Sequence, residues 1–395
     1  MSRRIIAQWL LGNLCCLCSQ AEWARHTIDG TLEGADGVRL ADVNRDGWQD
    51  IVTGWEESGQ VRVYQNPGPK KARQPWPAVT VGKVASPEDA VFADLDQDGQ
   101  MDVISSCEGS NQSVYVHWAP TESVDYWNAN RWETEPIPAL QGLAMWMFTT
   151  PGDLNGNGRT DLVVGSKGKE ATIGWLEAPT SPRNLVDWQW HPLQAIGWVM
   201  TIRVMDMDRD GDLDILFSDR KERASGIYAL INPSNGRSMG FWKKILIGAR
   251  GEEVMFLDVL SKKKKTWSIW SAIRSRQIQR FTFQAESFES TQESILKFED
   301  DFGTAKTVVA GDLDSDGKMD LVVSCENANG SKSGVFWLPR AETNKPQSIS
   351  GSKGVKFDRM VLIDLDGDED LDILTCEERD LLGVIWYENP HINGR

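Results

Sequence analysis

Short runs of apolar, β-branched and aromatic residues recur along this chain, separated by polar stretches. Gly334-Val335-Phe336-Trp337-Leu338 and Gly383-Val384-Ile385-Trp386-Tyr387 are two of them. Their length and composition predict strands, and no segment sustains a helical period. Six of the runs lead into a proline, at Pro67, Pro120, Pro179, Pro233, Pro339 and Pro390. Proline cannot donate to a ladder, so each marks a strand end. Upstream of every one lies a second recurring stretch: an apolar strand, then D-x-[DN]-x-[DN]-G-x-x-D, then another apolar strand.

The copies begin at Asp42, Asp94, Asp153, Asp206, Asp312 and Asp364, with spacings of 52, 59, 53, 106 and 52 residues. The long spacing is twice the others. Near its middle stands Asp258, in Phe256-Leu257-Asp258-Val259-Leu260, followed by Lys262 to Lys265 where an acidic loop would be. The chain therefore reads as seven repeats of about 54 residues, the fifth with a degenerate loop. A third signal is Trp followed five residues later by an aliphatic: Trp76/Val81, Trp132/Ile137, Trp188/Leu193 and Trp242/Ile247. One unit is then strand A, acidic loop, strand B, polar loop, strand C, proline turn and strand D.

The seventh unit stops after its C strand, at Asn389-Pro390. Trp23 and Ile28 repeat the Trp-to-aliphatic spacing at the other end of the chain. An N-terminal strand that completes the last unit closes a ring and removes exposed edges. The predicted fold is all-β, a seven-bladed β-propeller of four-stranded blades closed by the N-terminal strand. An open solenoid explains the repeats but not the exchanged strand.

The acidic loops carry candidate chemistry. Oxygens at positions 1, 3, 5 and 9 of one tight turn converge on one ion, and glycine at position 6 permits the turn. The predicted metal ligands are Asp42, Asn44, Asp46 and Asp50; Asp94, Asp96, Asp98 and Asp102; Asp153, Asn155, Asn157 and Asp161; Asp206, Asp208, Asp210 and Asp214; Asp312, Asp314, Asp316 and Asp320; and Asp364, Asp366, Asp368 and Asp372. Glu369 replaces the glycine in the last loop. An ion-free Asp/Gly turn is the plain alternative for any one loop; six in phase point to Ca²⁺, because bare carboxylates so crowded would repel. EF-hands share the first half of the pattern but need Glu at position 12 and flanking helices, whereas position 12 of the second loop is Ser105. The loops and the Asp-Leu-Val-Val or Asp-Ile-Leu strands after them resemble FG-GAP/VCBS repeats, the family that includes integrin α propellers. The resemblance implies a calcium-stabilised propeller. It leaves function open, since the family holds adhesion modules, lectin-like proteins and sugar-lyase domains.

Composition narrows the partners. The chain has 395 residues, 40 % hydrophobic and 25 % charged, with 58 Asp+Glu against 42 Lys+Arg and a net charge of −16. Such a surface disfavours nucleic acid and anionic lipid. Arg3, Arg4, an apolar run from Ile5 to Leu17, and Ser19 and Ala21 before a cleavage point predict a signal peptide over residues 1–21, with the propeller over 22–395. The run is short for a membrane anchor, and Cys15, Cys16 and Cys18 are not in a good lipobox. The expected location is secreted, periplasmic or cell-surface, the expected state a monomer. The remaining Cys107, Cys325 and Cys376 are odd in number and no disulfide framework. His26, His117, His191 and His391 are scattered, which argues against a zinc site.

A ligand site is expected on the face opposite the acidic loops. Six residues before the first loop Asp stand Asp36, Glu88, Met147, Met200, Glu252, Lys306 and Asp358; fourteen after it stand Glu56, Glu108, Lys167, Arg220, Glu326 and Glu378. With Trp146 and Trp198 they would ring the mouth of the central channel and hold a sugar or a further cation. Solvated loop charge is the bland reading of any single one. Two functional classes follow: a binding or scaffold module for a glycan or extracellular protein, or a metal-assisted sugar lyase or isomerase. No nucleophile elbow, His-centred triad or cofactor fingerprint marks an enzyme, although Glu or Lys can act as a base.

Overall fold

The computed structural model describes residues 23–221, 224–233, 240–263, 265–341 and 346–390. They form seven four-stranded antiparallel sheets and only short 3₁₀ turns. The first blade runs outward as Ala35–Ala41, Asp50–Trp55, Gln60–Tyr64 and Ala78–Lys83. The next five repeat that order. Each innermost strand packs on the innermost strand of the next blade, and Phe357–Ile363 of the seventh packs on Ala35–Ala41 of the first. The ring is closed.

The seventh blade takes its outer strand from the other end of the chain. Ala24–Asp29 pairs with Gly383–Glu388, in the register Ala24 to Glu388, His26 to Trp386 and Thr27 to Ile385. Trp23 and Ile28 are buried, and Trp23 meets Trp337 edge-on at 6.5 Å. Trp76, Trp132 and Trp188 occupy the same place before their outer strands. Their indole N–H groups donate to the carbonyls of Ala72, Tyr126 and Pro182 at 3.0, 2.8 and 2.8 Å. A large ring can fill the gap between blades only if its polar atom is satisfied there.

The fifth blade confirms the degenerate loop. Val254–Lys263 turns directly into Thr266–Ile273, with Lys263 paired to Thr266. Arg209 of the fourth loop stacks on Trp267 at 4.0 Å in the vacated space.

Two features position the mouth. In every blade the innermost strand slips register near its start. Glu88, Met147, Met200 and Lys306 are the extra residues in the second, third, fourth and sixth blades, and the first, fifth and seventh slip at the same level. A bulge releases a side chain from the ladder and re-aims it. Strand-B hydroxyls fix the bulged backbone of the next blade: Ser218 Oγ donates to the Met255 carbonyl at 2.9 Å, Ser324 Oγ to that of Asp358 at 2.8 Å. Just below, Phe148 of the third blade and Phe256 of the fifth meet edge-to-face at 5.6 Å, with the Arg359 guanidinium of the seventh at 5.7 and 5.2 Å from their centroids. Side chains from those three blades meet only at the axis, so the channel is plugged beneath its mouth.

Deleting residues 23–29 exposes the edge of Gly383–Glu388 and the apolar surface under Trp23 and Ile28, while removing no loop residue. The truncated chain is expected to melt well below the full mature chain and to aggregate. Monomeric behaviour and an unchanged melt, by size-exclusion chromatography and calorimetry, would contradict the closure.

Candidate cation loops and polar mouth

The six acidic loops share one backbone design. The fourth residue takes a left-handed conformation, with φ of 59°, 60°, 69° and 55° at Arg45, Gln97, Arg209 and Ser315 and glycine at Gly156 and Gly367. The sixth does so too. Glu369, which replaces glycine in the last loop, keeps the turn at φ 71°, a conformation that costs a residue with Cβ roughly 1 kcal/mol. The turn curls amides onto its own carboxylates. Gly47, Gly99, Gly158, Gly211, Gly317 and Glu369 donate to Oδ2 of the first Asp at 2.9, 3.0, 2.7, 3.2, 2.9 and 3.1 Å.

The ninth residue has a structural task that its spacing did not reveal. Asp50, Asp102, Asp161, Asp214, Asp320 and Asp372 are fully buried. Each accepts at least two backbone amides. Oδ2 takes the second loop residue, as in Val43 at 3.1 Å, Leu95 at 3.1 Å and Leu365 at 2.9 Å. Oδ1 takes a residue beside the strand-end proline, as in Asn66 and Ala119 at 2.8 Å and Asn389 at 2.9 Å. This staple ties the acidic loop to the proline turn. Burial pushes these carboxyls up, Asp50 to about 6 and Asp102 to about 8.

The remaining carboxylate oxygens test whether an ion fits. Asp94 Oδ1, Asp206 Oδ1 and Asp366 Oδ1 are buried with no hydrogen-bond partner. Asp94, Asp96 and Asp102 offer oxygens within 4.8 Å of one another, as do Asp206, Asp208 and Asp210. Buried acceptors without donors are costly, and converging hard oxygens suit a divalent cation. Some loops already touch an arginine. Arg183 Nε reaches Asp96 Oδ2 at 2.5 Å, Arg340 Nε reaches Asp316 Oδ2 at 2.9 Å, and Arg73 reaches Asp366.

At the opposite face most of the expected residues converge. Asp36, Glu56 and Glu88 form one close group, and Asp36, Asp358 and Glu378 another. Lys306 Nζ reaches Asp358 Oδ2 at 2.8 Å, and Lys356 pairs with Glu378. Burial, then the neighbouring Asp358 and Glu88, drive the Asp36 carboxyl well above its usual value. Asp358 lies well below it: burial opposes the shift, but the Lys306 ammonium outweighs it. Burial raises Glu88 to about 7. The other half of the mouth is a set of ion pairs around Trp198. Lys167, paired with Glu108, and Arg220 lie over Trp198 at 4.6 and 4.5 Å. Arg274 reaches Glu326 at 2.8 Å and Glu253 at 3.3 Å.

Two expected mouth residues stand elsewhere. Trp146 is fully buried between blades, its indole N–H donating to the Leu140 carbonyl at 3.0 Å and its ring edge-on to Trp190. It sits on the core side of the Met147 bulge. Glu252 lies off the bulge level, lining a pocket of about 410 Å³ together with Glu253 and Arg274. Pairing of Val254 with Ile273 matches that of Val199 with Asp219, which puts Met255 at the ring level. Asp258 is a strand residue there, accepting the Ala310 amide at 3.0 Å. The sequence reading missed Arg274, Glu253 and Lys356. Arg274 was recoverable as the charge ending the apolar run Trp267–Ile273; the others lie in loops with no fixed spacing. Met147 and Met200, at the bulge level, are buried.

A closed ring of four-stranded blades with acidic loops between strands A and B defines a class of repeat propeller. The FG-GAP-like repeat profile matches residues 42–105, 153–217 and 312–375, each match spanning two intact loops and the fifth unit lying outside all three. FG-GAP-like repeats in these three places support an FG-GAP repeat family. Human integrin alpha-6 is 29 % identical over 170 residues, covering 38 % of this chain and 14 % of the integrin, so the chain matches a small part of that relative's length. Two crystals of BBS1N in complex with ARL6DN, one soaked with mercury and one with lead, superpose with TM-scores of 0.52 and 0.51 at 12 and 10 % identity. They cover 94 % of this chain and 97 and 98 % of theirs. At such identity the likeness is one of fold.

Glu88→Gln tests the electrostatics of the mouth. A carboxyl raised in the folded state loses stability as pH climbs from its unfolded value through its folded one. In chelator the variant should therefore be more stable than the parent at pH 8, by roughly 1–3 kcal/mol, and equal to it near pH 5. A variant less stable at pH 8, by denaturant unfolding, would contradict this.

Proposed function

We propose that this FG-GAP propeller is a calcium-stiffened binding module that acts outside the cytoplasm and holds a protein partner at its polar mouth. The signal peptide expected over residues 1–21 lies outside the described residues. The orphaned oxygens of Asp94, Asp206 and Asp366 support calcium, and the length of the loops suits its flexible coordination. The observation that carries the binding reading is a mouth built of paired charges, Lys306 with Asp358, Lys356 with Glu378, Lys167 with Glu108 and Arg274 with Glu326 and Glu253. Such a surface selects a partner by charge complementarity. Trp198 argues for protein over glycan: Lys167 and Arg220 already lie over its ring, where a sugar would stack. The solved relative BBS1N, itself in complex with ARL6DN, gives the same fold in a protein-binding setting.

The test is a binding screen of the mature chain, in calcium and in chelator, against a library of extracellular protein domains and a glycan array, with Trp198→Ala/Arg220→Glu as control. Protein ligands bound by the parent and lost in the control are expected. Hits confined to glycans would overturn the choice of partner, and binding unchanged by the control would overturn the site.

One observation favours the second reading, a sugar lyase or isomerase. Neighbouring carboxyls with pKa values driven apart, Asp36 up and Asp358 down, are the arrangement that separates an acid from a base. Turnover of uronate-containing polysaccharide that disappears in Asp36→Asn would establish it.

A further inference from the structure

The seventh loop differs at one position from four of the other five. Its seventh residue is Asp370, where the first, second, third and sixth loops carry Trp48, Gln100, Arg159 and Lys318. The fourth carries Asp212. Asp370 is 3 % exposed, and neither of its carboxylate oxygens has a hydrogen-bond partner. Asp366 Oδ1 beside it is orphaned as well. A carboxylate that is out of water and has no donor is held at high cost unless a cation faces it. The loop gathers five aspartates, Asp364, Asp366, Asp368, Asp370 and Asp372, and among the described residues the guanidinium that pairs with them is that of Arg73. One guanidinium leaves most of that charge uncompensated.

Arg73 comes from the proline turn of the first blade, across the seam where the ring closes. It pairs with Asp366 and also with Glu388, whose two oxygens it takes at 2.8 and 2.9 Å. Glu388 lies on the strand that receives the N-terminal strand, and its Oε2 is 2.8 Å from His26 Nε2. The chain of contacts is continuous: loop aspartates, Arg73, Glu388, His26. Trp386 of the same strand donates to the Ala72 carbonyl at 3.3 Å, next to Arg73. The second loop has a comparable arginine, Arg183 on Asp96, but no chain terminus lies at that seam.

We propose that the seventh loop holds a divalent cation with the Asp370 side chain as a ligand beyond the repeated set, and that this ion, through Arg73 and Glu388, locks the N-terminal strand onto the last blade. The inference rests on the calcium reading above and adds a place where the ion acts. Without the ion, repulsion among the carboxylates loosens the turn that presents Asp366 to Arg73, while the pair itself persists. Arg73 then holds Glu388 and the strand edge less firmly. Ion release would open the ring at its one non-covalent seam before it loosened any blade.

Hydrogen exchange of the full mature chain tests this, with calcium and with chelator, comparing amides of Ala24–Asp29 with those of the outer strands Ala78–Lys83 and Lys243–Gly248. In the parent, chelation should speed exchange in Ala24–Asp29 about tenfold more than in the other two strands. Asp370→Asn, which keeps the shape and removes the charge, should show fast exchange there even in calcium. Arg73→Ala should still bind calcium at the loop, by titration calorimetry, but lose the calcium effect on the terminal strand. Equal deprotection of all three strands would overturn the lock and leave calcium binding standing. No response to calcium in any strand would overturn both. A normal calcium response in Asp370→Asn would remove Asp370 from the ligand set.

Discussion

The rest of the structure depends on a hydrogen-bonded pair repeated in six blades: one buried aspartate that accepts an amide from its own loop with one oxygen and an amide from the proline turn with the other. Asp102, between Leu95 and Ala119, is representative. Because the carboxyl is out of water, it depends on these two amides, at 3.1 and 2.8 Å, for its hydrogen bonds. They bring the end of strand C against the start of strand B at one face of each blade. That fixes where the first, third and fifth carboxylates of the loop must point, which is toward one another. The staple thus gathers negative charge on that face, and the divalent cation proposed above would relieve it.

The opposite face follows from the bulges. Slipping register near the start of each innermost strand releases residues such as Glu88 and Lys306 from the ladder and groups them with the strand-B ends Glu56, Arg220, Glu326 and Glu378. The phenyl rings of Phe148 and Phe256, capped by Arg359, close the channel just below. The mouth is therefore a shallow, charged basin with a floor. Seven blades contribute one to three residues each, so its ion pairs can be arranged without disturbing any blade.

Much of this was legible in the sequence, for physical reasons. Loop chemistry needs side chains at fixed offsets, so the six copies announced themselves, and the spacing that skipped the fifth told of its lost loop. Closure was legible because Trp23 and Ile28 must fill the same inter-blade gap as Trp76 and Val81. The failures have causes too. Once the fifth blade lost its loop, Asp258 was mistaken for the register mark, and Glu252 was placed where Met255 stands. Trp146 was assigned to the mouth because a one-residue bulge at Met147, invisible to periodicity, decides which neighbour turns inward. The staple made by the ninth aspartate was not legible, because a staple and a ligand require the same residue at the same offset. Lys356 and Glu253 come from loops of variable length, where spacing carries no information.

The central claim is that the acidic loops are organised around cations, and anomalous diffraction from crystals grown in calcium tests it most directly. The account predicts anomalous peaks inside the loops, roughly 2.3–2.6 Å from the orphaned oxygens of Asp94, Asp206 and Asp366. Loops without peaks at millimolar calcium, with those oxygens instead bonded to protein groups or water, would contradict it.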